Sequence, residues 1–100
     1  LKGSSEIMVL SVLGREHVYG YEIAKRIKAL SRDVFPMGEG TLYPLLHKLE
    51  KEKLLQSYWR EAEGRRRKYY GITRKGRRVL QEKEKEWQTF AAAVKTVLLS

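Results

Sequence analysis

From Ile7 to Leu13 nearly every position is apolar, and Ser4 or Ser5 just before this run can cap a helix that Gly14 is expected to end. A short helix that is greasy on most sides belongs at the centre of a fold. After the turn Arg15-Glu16-His17-Val18, the apolar residues spread out to Tyr19, Ile23, Ala24, Ile27 and Leu30, while Lys25, Arg26 and Lys28 turn outward. This spacing predicts a second, amphipathic helix over 19–30. Pro36, Gly38 and Gly40 then punctuate the stretch from Ser31 to Gly40 as a turn between helices. In the third helix Leu42, Leu45, Leu46 and Leu49 recur at i, i+3, i+4 and i+7, which leaves Thr41, Tyr43, Pro44, His47, Lys48 and Lys51 facing away. Pro44 leaves two starts open. The helix begins near the proline, or it begins at Gly38 and sacrifices one backbone hydrogen bond.

The pattern changes between Ser57 and Thr73 to aromatic and β-branched residues around the turn-like Glu61-Ala62-Glu63-Gly64-Arg65. A two-stranded hairpin is expected, with strands at 57–60 and 67–72. Thr73 is a good N-cap for a long last helix running toward Ser100. In that helix Leu80, Trp87 and Val94 repeat at seven residues, Phe90 and Val97 form a parallel row, and Ala91 and Leu98 widen it. Such a stripe packs against a partner helix. The expected fold is mainly α with a small β-hairpin: a winged helix-turn-helix over 1–73 and a C-terminal dimerisation helix over 74–100, together one compact unit.

Charge sharpens this picture. The 100 residues hold 21 Lys and Arg against 12 Asp and Glu, a net charge of +9. Residues 56–78 carry nine cations and two anions, so seven of the nine net charges fall in that segment, interleaved with Tyr58, Trp59, Tyr69 and Tyr70. A solvated face mixes signs, whereas this one concentrates a single sign among aromatics and suits a polyanionic partner such as double-stranded DNA. Arg65, Arg66, Arg67 and Lys68 would meet phosphates from the wing, because an arginine fork holds two acceptors at once. The plainer alternative is a set of strand-edge cations that discourage edge pairing. On the third helix Thr41, Tyr43, His47 and Lys48 are the candidates to reach phosphate or base edges. Tyr43 is equally readable as a half-buried core residue, and His47 as an ordinary surface histidine. Leu80, Trp87, Phe90, Ala91, Val94 and Val97 are the candidate dimer or effector surface, where Trp87 either fills the dimer core or forms the flat wall of a pocket for aromatic ligands.

Other classes find less support. There are no cysteines, which removes disulfides, a thiol nucleophile and a cysteine zinc site and fits an intracellular, cytoplasmic location. No run approaches the roughly 18 apolar residues of a membrane span, and the start lacks the long apolar stretch of a secretion signal. The chain opens without Met, which leaves room for a few leading residues before it. His17 and His47 stand 30 positions apart without a ligand cluster, and no nucleophile and base pair up, so neither a metal, a cofactor nor an enzyme activity is expected. A winged-helix module that meets an acidic protein partner is the alternative function. A membrane-surface role ranks last, because Lys83, Lys85 and Lys95 are balanced by Glu82, Glu84 and Glu86.

Four blocks together resemble the PadR family of bacterial transcriptional regulators. They are LKG followed by an apolar helix at Leu1 to Leu13, YGYEIAKRIK at Tyr19 to Lys28, GEGTLYPLLHKLEKEKLL at Gly38 to Leu55, and GRRRKYYGITRKGRRVL at Gly64 to Leu80. The short length and lone last helix resemble a small subfamily with multidrug-responsive members similar to LmrR. The resemblance implies a repressor that dimerises through its last helix, aided by the first, and binds a roughly palindromic operator. Thr41, Tyr43 and Lys48 would then lie on the DNA-facing helix and Arg65 to Lys68 in the wing. A tryptophan such as Trp87 would line a pore between subunits that takes a small aromatic or lipophilic effector. Two positions depart from the pattern. Gly38 stands where a Ser or Asn cap is frequent, and Lys53 stands where a helix-ending glycine is usual.

Overall fold

In the computed structural model, residues 4–100 are described and the LKG segment at Leu1 to Gly3 lies outside them. Four helices and three strands follow one another as α1 (Ser4–Arg15), β1 (Val18–Tyr19), α2 (Gly20–Leu30), α3 (Glu39–Lys51), β2 (Leu55–Ala62), β3 (Arg65–Ile72) and α4 (Arg74–Leu99). The arrangement of three helices, a hairpin and a long last helix agrees with the expected winged helix-turn-helix.

Val9, Leu10, Val12 and Leu13 of α1 are buried, as its dense apolar run requires. Gly14 does not end the helix, contrary to expectation. It lies in the last turn, where its Cα faces Leu80 of α4 and its carbonyl accepts a hydrogen bond from Arg77 Nη1 at 3.2 Å, so tertiary contacts outweigh glycine's poor helix propensity. From the other side, Ile23 and Ile27 of α2 and Leu42, Leu46 and Leu49 of α3 close the core. Leu30 is instead exposed, because α2 ends there.

The sheet has three strands rather than two. The sequence shows Val18 as the end of a turn and Tyr19 as a helix start, yet the two pair antiparallel with Tyr70 and Tyr69, giving the strand order β1-β3-β2. A two-residue strand is too short to show alternation, and Tyr19 also serves as the extended N-cap of α2. The hairpin is longer than expected. Its strands pair in unbroken register from Leu55 with Ile72 to Ala62 with Arg65. Only Glu63 and Gly64 remain for the turn, both at positive φ (55° and 73°), as a type I′ connection demands.

Of the two possible starts for α3, the earlier one is adopted. Gly38 is the N-cap, without a side-chain hydrogen bond, and Pro44 sits inside the helix. At the other end, Lys53 N–H donates to Glu50 O and Leu54 N–H to Leu49 O, both at 2.9 Å. This double bond is the Schellman arrangement, and it holds Lys53 in the left-handed region at φ 64°. The departure seen in the sequence is therefore a real backbone burden. Thr73 caps α4 as expected, with its Oγ1 accepting from Gly76 N–H at 3.0 Å.

Two stability changes follow from this frame. A Cβ at Gly76 would collide with the Leu54 carbonyl oxygen and come within 2.7 Å of Ile72 Cγ1, so Gly76→Ala is expected to destabilise the protein by roughly 2 kcal/mol or more. Lys53→Gly relieves a left-handed lysine and should stabilise it by about 0.5–1 kcal/mol. Urea unfolding followed by circular dichroism checks both signs.

Candidate nucleic-acid interface

Between the hairpin, the start of α2 and the middle of α3 lies an open cleft of roughly 710 Å³. It gathers six of the eight residues that the sequence nominated for DNA: Tyr43 and His47 from α3, and Arg65, Arg66, Arg67 and Lys68 from the wing. The unbroken hairpin register accounts for Arg66 and Lys68, while Arg65 and Arg67 border the cleft from the other face of the strand. Residues at even positions of β3 share one face, so Arg66 and Lys68 lie opposite Glu61 and Trp59 on the side that continues toward α3.

The cations are held by rings more than by carboxylates. Arg66 lies over Trp59 at 5.1 Å, Arg67 over Tyr19 at 4.4 Å and Lys68 over Tyr70 at 5.6 Å. Such contacts orient a guanidinium without cancelling its charge. Arg67 and Lys68 each have one distant carboxylate, Glu63 at 3.9 Å and Glu50 at 4.0 Å, while Arg65 and Arg66 pair with none among the described residues. Net positive charge is thus left facing the cleft. Of the cleft's other aromatic residues, Trp59 and Tyr70 belong to the set that the sequence reading saw interleaved with the wing charge, while Tyr19 and Tyr21 were missed. The parity of Trp59 with Lys68 carried a signal for Trp59, once the turn was fixed at Glu63-Gly64.

Tyr43 is half-buried, as one of its readings had it, and lies in the cleft as well. Its ring packs against Gly20, where an added Cβ would sit 3.2 Å from Tyr43 Cε1, and the residue still lines the cleft. Next to it Tyr70 is 2% exposed, and burial raises its hydroxyl pKa above the ordinary 10.0, so it stays neutral. His47 is exposed at the cleft wall. Thr41 is exposed in the first turn of α3 but outside the cleft.

Lys48 is turned elsewhere. Its Nζ donates to Glu6 Oε1 of α1 at 2.6 Å, and Lys83 of α4 reaches the other carboxylate oxygen, Oε2, at 3.1 Å. The sequence placed Lys48 beside Tyr43 and His47 because helical spacing shows the outward face of α3, whereas the flank on which α1 ends is a property of the tertiary fold.

The stripe on α4 divides in two. Leu80 is buried against the chain's own core, so it lies apart from the outward surface with which it was grouped. Every residue from Glu84 to Ser100 is exposed, with Trp87 at 45% and Phe90 at 47%. Trp87, Phe90, Ala91 and Val94 line a shallow, almost wholly apolar groove of about 430 Å³, and Val97 lies outside it. No helix among the described residues is long and apolar enough to cross a membrane, and no cluster of three or more His, Asp or Glu there could hold a metal ion.

Comparison with known proteins agrees with this architecture. The family model described as "Transcriptional regulator PadR-like family" matches residues 9–82. A PadR-like transcriptional regulator of Bacillus cereus superposes with a TM-score of 0.88 at 35% identity, covering 100% of this chain and 96% of that one. A PadR family regulator of Clostridium difficile gives a TM-score of 0.82 at 36% identity, covering 93% and 96%. A transcriptional regulator of Mycobacterium tuberculosis is 42% identical over 65 residues, which span 65% of this chain and 61% of that protein.

The Glu6 contacts have a measurable signature. Hydrogen bonding from Lys48 lowers the Glu6 pKa below the ordinary 4.5, assisted by Lys83 and opposed by partial burial. A carboxyl whose folded pKa is depressed contributes stability that is fully present above its unfolded value and lost as pH falls through the folded one. Thermal melts at stepped pH should therefore show a loss of stability on descending below pH 4.5 that Glu6→Gln reduces.

Proposed function

Because the chain belongs to the PadR-like family of transcriptional regulators, we propose that it is a repressor that binds a palindromic operator in double-stranded DNA as a homodimer. Members of this family are DNA-binding regulators rather than enzymes. The observation that carries the reading is the convergence of Tyr43 and His47 of α3 with Arg65 to Lys68 of the wing in one cleft of excess positive charge. In this reading residues 1–73 are the DNA-binding unit. The N-terminal half of α3 enters the major groove, and the wing neutralises flanking phosphates.

The homodimer is supported by the outer half of α4, which carries Trp87, Phe90, Val94, Val97 and Leu98 on a stretch of helix left exposed by the described residues. A second copy of the same helix is the simplest cover for this surface and sets two α3 helices around a two-fold axis, as a palindrome requires. The groove at Trp87 and Phe90 is also wide and apolar enough for a small aromatic or lipophilic effector. Such a ligand shifts DNA binding only if it prefers one dimer geometry over another. A cytoplasmic location is the natural one for such a regulator.

Selection of bound molecules from a random duplex pool at near-physiological salt tests the proposal. Enrichment of a two-fold symmetric motif, preferred at least about a thousandfold over random duplex, is the expected result. A featureless pool combined with capture of an acidic protein favours the interaction-module alternative. On the selected duplex, Arg66→Ala should weaken binding at all sequences alike and reduce the slope of log affinity against log salt by about 0.9.

A further inference from the structure

We propose that Glu6 is a positioning residue for sequence-selective DNA binding: its carboxylate ties α3 to α4, so that the seating of α3 depends on the state of α4. The inference rests on the operator-binding reading above. Glu6 lies in the first turn of α1, and each of its oxygens holds a lysine from a different helix, Lys48 at 2.6 Å and Lys83 at 3.1 Å. The Glu6 side chain is 17% exposed, against 56% for Lys48 and 28% for Lys83, so the anion is the shielded member of the group. A fully exposed pair would be screened into insignificance. Here the shared anion is mostly covered, and removing it leaves two cations facing each other.

The placement of Lys48 gives the contact its leverage. Helical spacing sets Lys48 on the flank of α3 opposite the one where Tyr43 packs against Gly20 and lines the cleft. The wing-side flank is fixed by that ring packing and the far flank by Glu6, and the outward ridge of α3 runs between these two points. Lys83 in turn precedes Trp87 by one helical turn on the same face of α4, so it adjoins the start of the apolar stripe. Whatever covers that stripe, a second helix or a bound ligand, bears on Lys83 and through Glu6 on Lys48. Apart from the junction at Thr73, Lys75 and Gly76, α3 and α4 scarcely touch, so the bridge through Glu6 of α1 gives them a second, side-chain link among the described residues.

The experiment uses the operator recovered by selection and a scrambled duplex of equal length, with Glu6→Gln, Lys48→Met, Lys83→Met and the double variant Glu6→Gln/Lys83→Met. Each single change is expected to lower the ratio of operator to scrambled affinity by about tenfold, within the usual range of coupling between sites. The double variant should match Glu6→Gln alone, because the link is already cut. Lys83 does not line the cleft, so its effect on selectivity is the discriminating readout, and it stands even if Glu6→Gln folds poorly. If Lys48→Met weakens both duplexes equally and flattens the salt slope while Lys83→Met does nothing, Lys48 is an ordinary phosphate contact and the proposal is overturned. It also fails if all variants melt at lower temperature with an unchanged ratio, which is what a purely structural bridge gives. A wild-type protein without any preferred sequence overturns the operator reading as well, so the two failures are told apart.

Discussion

The end of α3, the base of the hairpin and the start of α4 meet at a single crossing of the chain, and the geometry of every other element is referred to that point. Thr73 N–H donates to Leu54 O at 3.0 Å, and Thr73 Oγ1 donates to Lys53 O at 2.7 Å while accepting from Gly76 N–H. Lys75 Nζ reaches Glu52 O at 3.1 Å. The backbone of α4 passes so close to the Leu54 carbonyl that only a residue without a side chain fits at Gly76. The carbonyls of Glu52, Lys53 and Leu54, just past the end of α3, are thereby satisfied by the first turn of the next helix, where a buried carbonyl without a partner would cost about 1–3 kcal/mol. One threonine and one glycine, three positions apart, fix the direction of three elements.

From this junction the hairpin runs outward and changes character along its length. Leu55, Tyr70 and Ile72 near its base are buried, whereas the distal part has little core beneath it. Cross-strand neighbours hold the distal part instead. Tyr58 stacks on Tyr69 with centroids 5.9 Å apart, Arg60 lies over Tyr69 at 5.3 Å, and His17 Nδ1 and the Tyr58 hydroxyl are 2.7 Å apart. Because side chains alternate along a strand, Arg65 and Arg67 occupy one face and Arg66 and Lys68 the other. The aromatic residues that make the segment look like a contact surface in the sequence are therefore also what keeps a core-poor arm ordered.

Helix periodicity was legible where one face is buried, in α1, the body of α2 and the Leu42, Leu45, Leu46 and Leu49 stripe of α3, and also in α4, whose Thr73 cap and apolar repeat mark the helix although only Gly76 and Leu80 of it are buried. What stayed hidden depends on partners distant in sequence. Val18 and Tyr19 are a strand only because Tyr69 and Tyr70 lie alongside, and Gly14 remains helical because α4 packs there. The candidate site shows the same division. The wing cations and the face holding Tyr43 and His47 could be read from charge and spacing, since both are local. The pairing of Lys48 with Glu6 spans 42 positions, and no local pattern announces it. Leu80 joins Trp87 in a seven-residue repeat but faces the core of its own chain, because a repeat records the direction of a side chain and not which body it meets.

The attachments of α4 bear on how a pair of α3 helices would be spaced. The first is the junction at Thr73 and Gly76, the next is the packing of Leu80 and Arg77 against Gly14 of α1, and the outermost is the ion pair at Lys83, seven residues or about 10 Å beyond Gly76 along the helix axis. A single pin leaves a rod free to swing, whereas several spaced along it fix its direction. Beyond Lys83 every residue of the helix is exposed among the described residues, and most helical stability in proteins comes from packing of an apolar face, so the outer half calls for a partner. If that partner is a second α4, the angle between the two rods sets the separation of the α3 helices. The junction is built from backbone hydrogen bonds and a glycine contact that resist adjustment, while the outer pin is one carboxylate shared by two flexible lysines. Any change in spacing imposed from the far end of α4 is then taken up first at Glu6.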